Sequence, residues 1–133
     1  AAGINVEFTY KAVGTIHGVK VLKGIGNKHA LPEESHTSDA YIKLKPDGVF
    51  HEMRIYDKNH ETTLDIAFHR ELKLDPSGNN VLHIHRYEPG FKRQKAEPIT
   101  KEIYDKYSKF VGGVPKFDKW LLQLISGPSL FWR

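Results

Sequence analysis

Two histidines stand one residue apart in "VLHIHRYEPG", residues 81–90, inside a short apolar run. On a β-strand successive side chains point to opposite faces, so His83 and His85 share one face while Leu82 and Ile84 share the other. The same alternation in "VFHEMRIY" turns Met53 and Ile55 inward and Glu52, Arg54 and Tyr56 outward. In "TTLDIAFHREL" it turns Leu64, Ile66 and Phe68 inward and Asp65, Ala67 and His69 outward. Arg54, Tyr56, Asp65, His69, His83, His85 and Tyr87 therefore converge on one surface of the expected sheet.

That set contains the parts for cleaving RNA without a metal. A neutral imidazole can take the proton from a ribose 2′-hydroxyl while a second histidine or a tyrosine protonates the leaving 5′-oxygen. The expected catalytic residues are His83, His85, His69 and Arg54, the guanidinium holding the phosphate and its transition-state charge. Asp65 can fix a histidine tautomer, and Tyr56 and Tyr87 offer flat surfaces for an unpaired base. Lys28, with His29, can close over the site from a long loop. The expected substrate-binding set is thus Tyr56, Tyr87, Asp65 and Lys28. His17, His51 and His60 find no convergent partner in this pattern and are assigned no role.

Each residue also has a plainer use. A lone histidine on a solvated sheet face is more often structural than catalytic. Arg54 opposite Asp65 reads equally well as a cross-strand ion pair. The tyrosines can pack at the sheet rim, and Lys28 and His29 can be ordinary loop residues. His-x-His together with His69 and Asp65 can also supply nitrogen and oxygen ligands for zinc or another divalent ion. Arg54 and a cationic surface beside such an ion rank that reading lower, so no metal and no other cofactor is expected.

The elements that must position these groups follow from pattern. "INVEFTYKAVGTIHGVKVL" is rich in β-branched and aromatic residues and reads as one or two strands with a turn. "KGIGNKHALPEESHTSD" has no period and many turn formers, so it reads as a long loop. "AYIKLK", "VFHEMRIY", "TTLDIAFHREL" and "VLHIHRYE", separated by "PDG", "DKNHE" and "DPSGNN", read as an antiparallel meander. Further on, Ile103, Tyr107, Phe110 and Val111 fall at helical spacing, with Thr100 as cap and Gly112–Gly113 as stop. Phe117, Trp120, Leu121, Leu124 and Ile125 suggest a second helix, ended by Gly127–Pro128. The expected fold class is α+β: an antiparallel meander of about four to six strands with two C-terminal helices packed on one face. The other face is left open to water or a ligand.

The totals bound the rest. A chain of 133 residues suits a single domain, residues 1–133, whether whole or cut from a longer protein. With 39% hydrophobic and 27% charged residues it has the balance of a globular chain. Nothing approaches the roughly 20 apolar residues of a membrane span, so no membrane partner is expected. Cysteine is absent, which excludes disulfides and thiolate metal sites. A net charge of +4 favours phosphate-bearing partners.

Over residues 38–90 the chain resembles the phage and polymorphic-toxin nuclease domains of the barnase–EndoU–colicin–RelE type. The resemblance rests on Arg54-x-Tyr56, on Asp65-Ile66-x-x-His69 and on His83-Ile84-His85. Where members carry a Gly-Lys-x-x-Ser stretch, this chain has "HTSD", with Ser38 and no adjacent lysine. The resemblance implies a small ribonuclease-like domain acting on tRNA or another structured RNA, with an immunity protein as a second partner. It implies a cytoplasmic site of action, with secretion or a virion as the route of delivery. A non-catalytic phage accessory module that binds nucleic acid or a protein is the competing class. A His/Asp metal-binding hydrolase is the third.

Overall fold

A computed structural model describes residues 10–26 and 28–112. Eight strands form the sheet: β1 (Tyr10–Ile16), β2 (Val19–Gly24), β3 (Ala40–Leu44), β4 (Phe50–Tyr56), β5 (Thr62–Arg70), β6 (Asn80–Glu88), β7 (Lys92–Arg93) and β8 (Glu97–Pro98). They lie in the order β1 to β7, with β8 pairing β6 beside β7. Helix α1 (Lys101–Tyr107) and a 3-10 turn (Ser108–Phe110) follow.

Local chemistry accounts for most of these elements. His17 and Gly18 both take positive φ, 48° and 83°, as a two-residue hairpin turn between β1 and β2 requires. Gly90 and Phe91 do the same between β6 and β7, at 87° and 60°. The Thr100 hydroxyl accepts from the Ile103 backbone N–H and caps α1, as its sequence position predicts.

One face of the sheet carries the main core. Ile42, Ile66, Leu82 and Ile84 retain no exposed surface, and Val21, Phe50, Met53 and Ile99 pack with them. Burying each such side chain contributes roughly 2 kcal/mol. Phe110 and Val111 close this face, with Ile103, Tyr104 and Tyr107 packed against them. The inward phase expected for Met53, Ile66, Leu82 and Ile84 is the phase observed.

The architecture differs from the expected α+β layering. About 48% of the described residues are strand, the sheet they form has eight strands and not four to six, and the helical segment described is ten residues long. Among the described residues, two helices on a small meander are therefore not what covers the sheet. The added strands β7 and β8 come from "KR" and "EP", two-residue pairings too short to show alternation. The second expected helix, residues 116–126, lies outside the described residues. One neighbouring pair, β2 and β3, is parallel, because the connection between them, described at residues 25–26 and 28–39, crosses over the sheet before β3 begins.

That crossover also removes the expected open face. Leu31 packs with Leu22, Tyr41 and Tyr56 in a second, smaller core on the opposite side of the sheet. The loop is pinned by Thr62, whose N–H and hydroxyl both donate to the Glu33 carbonyl, and by Tyr10, whose hydroxyl donates to the Ala30 carbonyl. Gly24 lets the chain fold back at the loop's start: a Cβ there would clash with the Lys28 carbonyl oxygen. The surface expected to meet water is roofed by the protein's own backbone.

Candidate functional site

The polar face divides into two clusters. In the first, Arg54 grips Asp65 with two parallel hydrogen bonds, Nε to Oδ1 at 2.7 Å and Nη2 to Oδ2 at 3.0 Å. Its Nη1 donates to the Leu31 carbonyl at 2.6 Å, and the Tyr87 hydroxyl donates to Asp65 Oδ2 at 2.7 Å. The guanidinium lies over the neighbouring Tyr87 and Phe91 rings, 5.6 and 5.2 Å from their centroids. Tyr56 donates its hydroxyl to the Pro32 carbonyl at 2.6 Å. Arg54 and Asp65 are 5% and 4% exposed. Burial opposes the charge on Arg54, but the Asp65 hydrogen bonds and carboxylate outweigh it and raise the guanidinium pKa. Burial likewise pushes the Tyr56 hydroxyl up. Every nitrogen of Arg54 already donates within the fold, so the guanidinium has nothing left for a phosphate.

The second cluster is a row of imidazoles. His51 meets His69 with ring centroids 5.6 Å apart, His69 meets His83 at 4.7 Å and His83 meets His85 at 5.4 Å, each pair edge to face. Three of the rings are pinned in the same way. The Nδ1 atoms of His69, His83 and His85 lie 2.8, 2.9 and 2.8 Å from the backbone carbonyls of Arg70, Val81 and Gln94. A carbonyl can only accept, so each Nδ1 carries a proton, and in a neutral ring Nε2 then keeps the lone pair. Fixing a histidine tautomer through a backbone carbonyl is the usual support for a metal-ligating imidazole.

His83 is the extreme member. It has no exposed surface, and its Nε2 is the one buried side-chain nitrogen or oxygen among the described residues that lacks a hydrogen-bond partner. Leaving a buried acceptor unsatisfied costs about 1–3 kcal/mol, which a purely structural residue has no reason to retain. Burial, reinforced by its histidine neighbours, drives its pKa down to about 4, so the ring is neutral at pH 7. Burial also lowers His85, and Arg93 adds to the effect. His51 falls to about 4 through burial and the adjacent Lys43.

One further group completes a ligand set. Donor atoms of Glu71, His83 and His85 all lie within 4.8 Å of one another. Tetrahedral zinc with bonds near 2.1 Å holds its ligands about 3.4 Å apart, so drawing the three together takes side-chain shifts of about an ångström. Two imidazoles and one carboxylate form the three-ligand set of catalytic zinc sites, which leave a fourth position for water or substrate. The same set occurs in iron centres with open positions. The residues present fit a divalent ion.

The structure therefore brings together His69, His83 and His85 and places Arg54, Asp65, Tyr56 and Tyr87 in a separate, internally bonded cluster. Lys28 is exposed on the crossover loop, and its N–H donates to the Ile25 carbonyl. Three participants escaped the sequence reading. Glu71 continues the run Asp65, Ala67, His69 by one more step, a signal present in the sequence but lying just past the strand. His51 is the extra residue of a β-bulge, since Lys43 pairs Glu52 while Leu44 pairs Phe50. A bulge breaks two-residue alternation and brings this side chain beside His69. Arg93, whose Nη2 lies 2.7 Å from His85 Nε2, sits in a two-residue strand with no readable phase. Compared with known proteins, the chain matches no family, no curated protein and no solved structure.

Proposed function

We propose that this domain is a metal-dependent hydrolase whose divalent ion is held by Glu71, His83 and His85. The observation that carries the reading is the buried, neutral, unpartnered Nε2 of His83, in reach of a second fixed imidazole and a carboxylate. Held by these three residues, a divalent ion would supply Lewis-acid activation of water at neutral pH. His69, pinned by the Arg70 carbonyl and in ring contact with His83, is the general base or acid beside it. The metal-independent route relies on Arg54 to hold the phosphate, and Arg54 is fully committed to Asp65 and the crossover loop.

Calorimetric titration of metal-free protein with Zn2+ and, under anaerobic conditions, Fe2+ tests the centre. One ion should bind per chain, with affinity weakened by at least about a hundredfold in His83→Ala and Glu71→Gln and little changed in His69→Ala. Hydrolysis of bis(p-nitrophenyl) phosphate and of total tRNA, with and without EDTA, tests the reaction. Activity lost in EDTA and restored by zinc supports the proposal. RNA cleavage that persists in EDTA yet disappears in His85→Ala overturns it in favour of metal-free ribonuclease chemistry.

A further inference from the structure

The two imidazoles of the centre differ in one respect. His83 Nε2 has no partner, whereas His85 Nε2 accepts a hydrogen bond from Arg93 Nη2 at 2.7 Å. An imidazole nitrogen has a single lone pair, so an ion bound to His85 and the Arg93 hydrogen bond exclude each other. From this we propose that Arg93 is an anion-binding residue, held on His85 until a metal displaces it and then available to a tetrahedral oxyanion such as a sulfate or phosphate group. The inference rests on the metal reading and adds the substrate class to it.

Three observations place Arg93 in this role. Its backbone is anchored, since Tyr87 pairs Arg93, Glu88 pairs Lys92 and the Gln94 N–H donates to the Arg86 carbonyl at 2.8 Å. Displacement therefore moves the side chain and leaves the strand in place, keeping the guanidinium within one side chain's reach of the ion. No salt bridge holds Arg93 elsewhere among the described residues. The carboxylates nearby are already used: both oxygens of Asp65 accept from Arg54, and Glu71 is a metal ligand in the proposed centre. A displaced guanidinium beside a divalent ion is left with N–H donors, repulsion from the metal and no protein anion. An oxyanion bridging the two cations satisfies both, and the planar fork of arginine matches two of its oxygens.

The arrangement makes metal and anion binding mutually reinforcing, and such coupling is reciprocal. The test is titration of metal-free wild type and Arg93→Gln with Zn2+, in sulfate and in chloride at equal ionic strength. Wild type should bind zinc about tenfold tighter in sulfate than in chloride, a typical size for such coupling. Arg93→Gln lacks the competing hydrogen bond, so it should bind zinc severalfold tighter than wild type in chloride and gain nothing from sulfate. Equal zinc affinities for the two proteins in both salts overturn the role of Arg93 and leave the metal centre standing. Failure of wild type to bind zinc, iron or cobalt in either salt removes the metal reading and this inference with it.

Discussion

Two clusters lie side by side on one face of the same sheet and meet opposite hydrogen-bonding fates. Around Arg54 and Asp65 every polar atom is answered: a bidentate pair, two loop carbonyls and a tyrosine hydroxyl close the cluster on itself. Around His83 the protons are placed with equal care, yet a buried lone pair is left without a partner. A polar cluster complete within the protein serves the fold. One completed only by something from outside serves a ligand. Residue type does not separate them, since both hold charged or titratable groups and both are buried. Satisfaction does.

The largest expected effect comes from opening the closed cluster. Asp65→Ala leaves a buried guanidinium without its carboxylate, and breaking such a pair from one side costs about 3–5 kcal/mol. Urea unfolding should show that loss, a large fraction of the roughly 5–15 kcal/mol that holds a domain folded. Arg54→Met should be similarly severe, because the Leu31 carbonyl and Asp65 both lose a donor. Loss of under 1 kcal/mol in either variant would show that the cluster does not hold the crossover loop to the sheet.

Acid comes next in size. His83 has its folded pKa lowered from 6.5 to about 4, so below pH 6.5 the unfolded chain takes up a proton that the folded one refuses. Stability is therefore complete above pH 6.5, falls as pH drops toward 4, and levels off once the folded ring protonates as well. The fall from 6.5 to about 4 corresponds to on the order of 3 kcal/mol. His51 acts in the same direction with less effect, being more exposed. Glu52 acts in the other, since burial raises its carboxyl. Metal-free wild type and His83→Leu, unfolded in urea at about pH 7 and pH 5, isolate the His83 share. The variant should lose clearly less stability between the two, and parallel losses would assign the acid sensitivity to other groups.

At neutral pH the same substitution should cost very little, and there the two clusters diverge most clearly. His83→Leu gives up the hydrogen bond to the Val81 carbonyl, worth about 1 kcal/mol, and also removes a buried acceptor that costs about 1–3 kcal/mol. The net change should lie within about 1 kcal/mol of zero in the metal-free protein. Stability tolerant of losing His83, alongside metal affinity that is not, is the signature of a site residue. A loss of 3 kcal/mol or more would make His83 a core residue like any other.

The sequence carried strand phase well and environment poorly. Alternation alone assigned Met53, Ile66, Leu82 and Ile84 to the core and put Arg54, Asp65, His83 and His85 on the other side, because a two-residue period is a local property. It could not show that residues 28–39 cross over that side. The cover depends on long-range bonds such as Arg54 to the Leu31 carbonyl and Thr62 to the Glu33 carbonyl, and neither partner announces the other. The expectation of an exposed catalytic face fails on that point. His51 was invisible for a different reason, since a bulge shifts phase by one residue without any glycine or proline to mark it.

The smallest effect sharpens the comparison by holding chemistry constant and changing only burial. Arg86 and Glu97 form a second arginine–carboxylate pair on this sheet, Nε to Oε2 at 3.3 Å, linking β6 to β8. Their side chains are 51% and 37% exposed, against 6% and 6% for Arg54 and Asp65. In water each partner of the outer pair is solvated when the other is removed, and holding two long side chains together offsets most of the Coulomb gain. Glu97→Gln should therefore change stability by no more than about 0.5 kcal/mol, and added salt should abolish whatever difference remains. Asp65→Ala should be indifferent to salt, because its partner is buried with no counterion able to reach it. If the two substitutions cost alike, burial is not what sets the closed cluster apart, and its contrast with the imidazole row needs another physical basis.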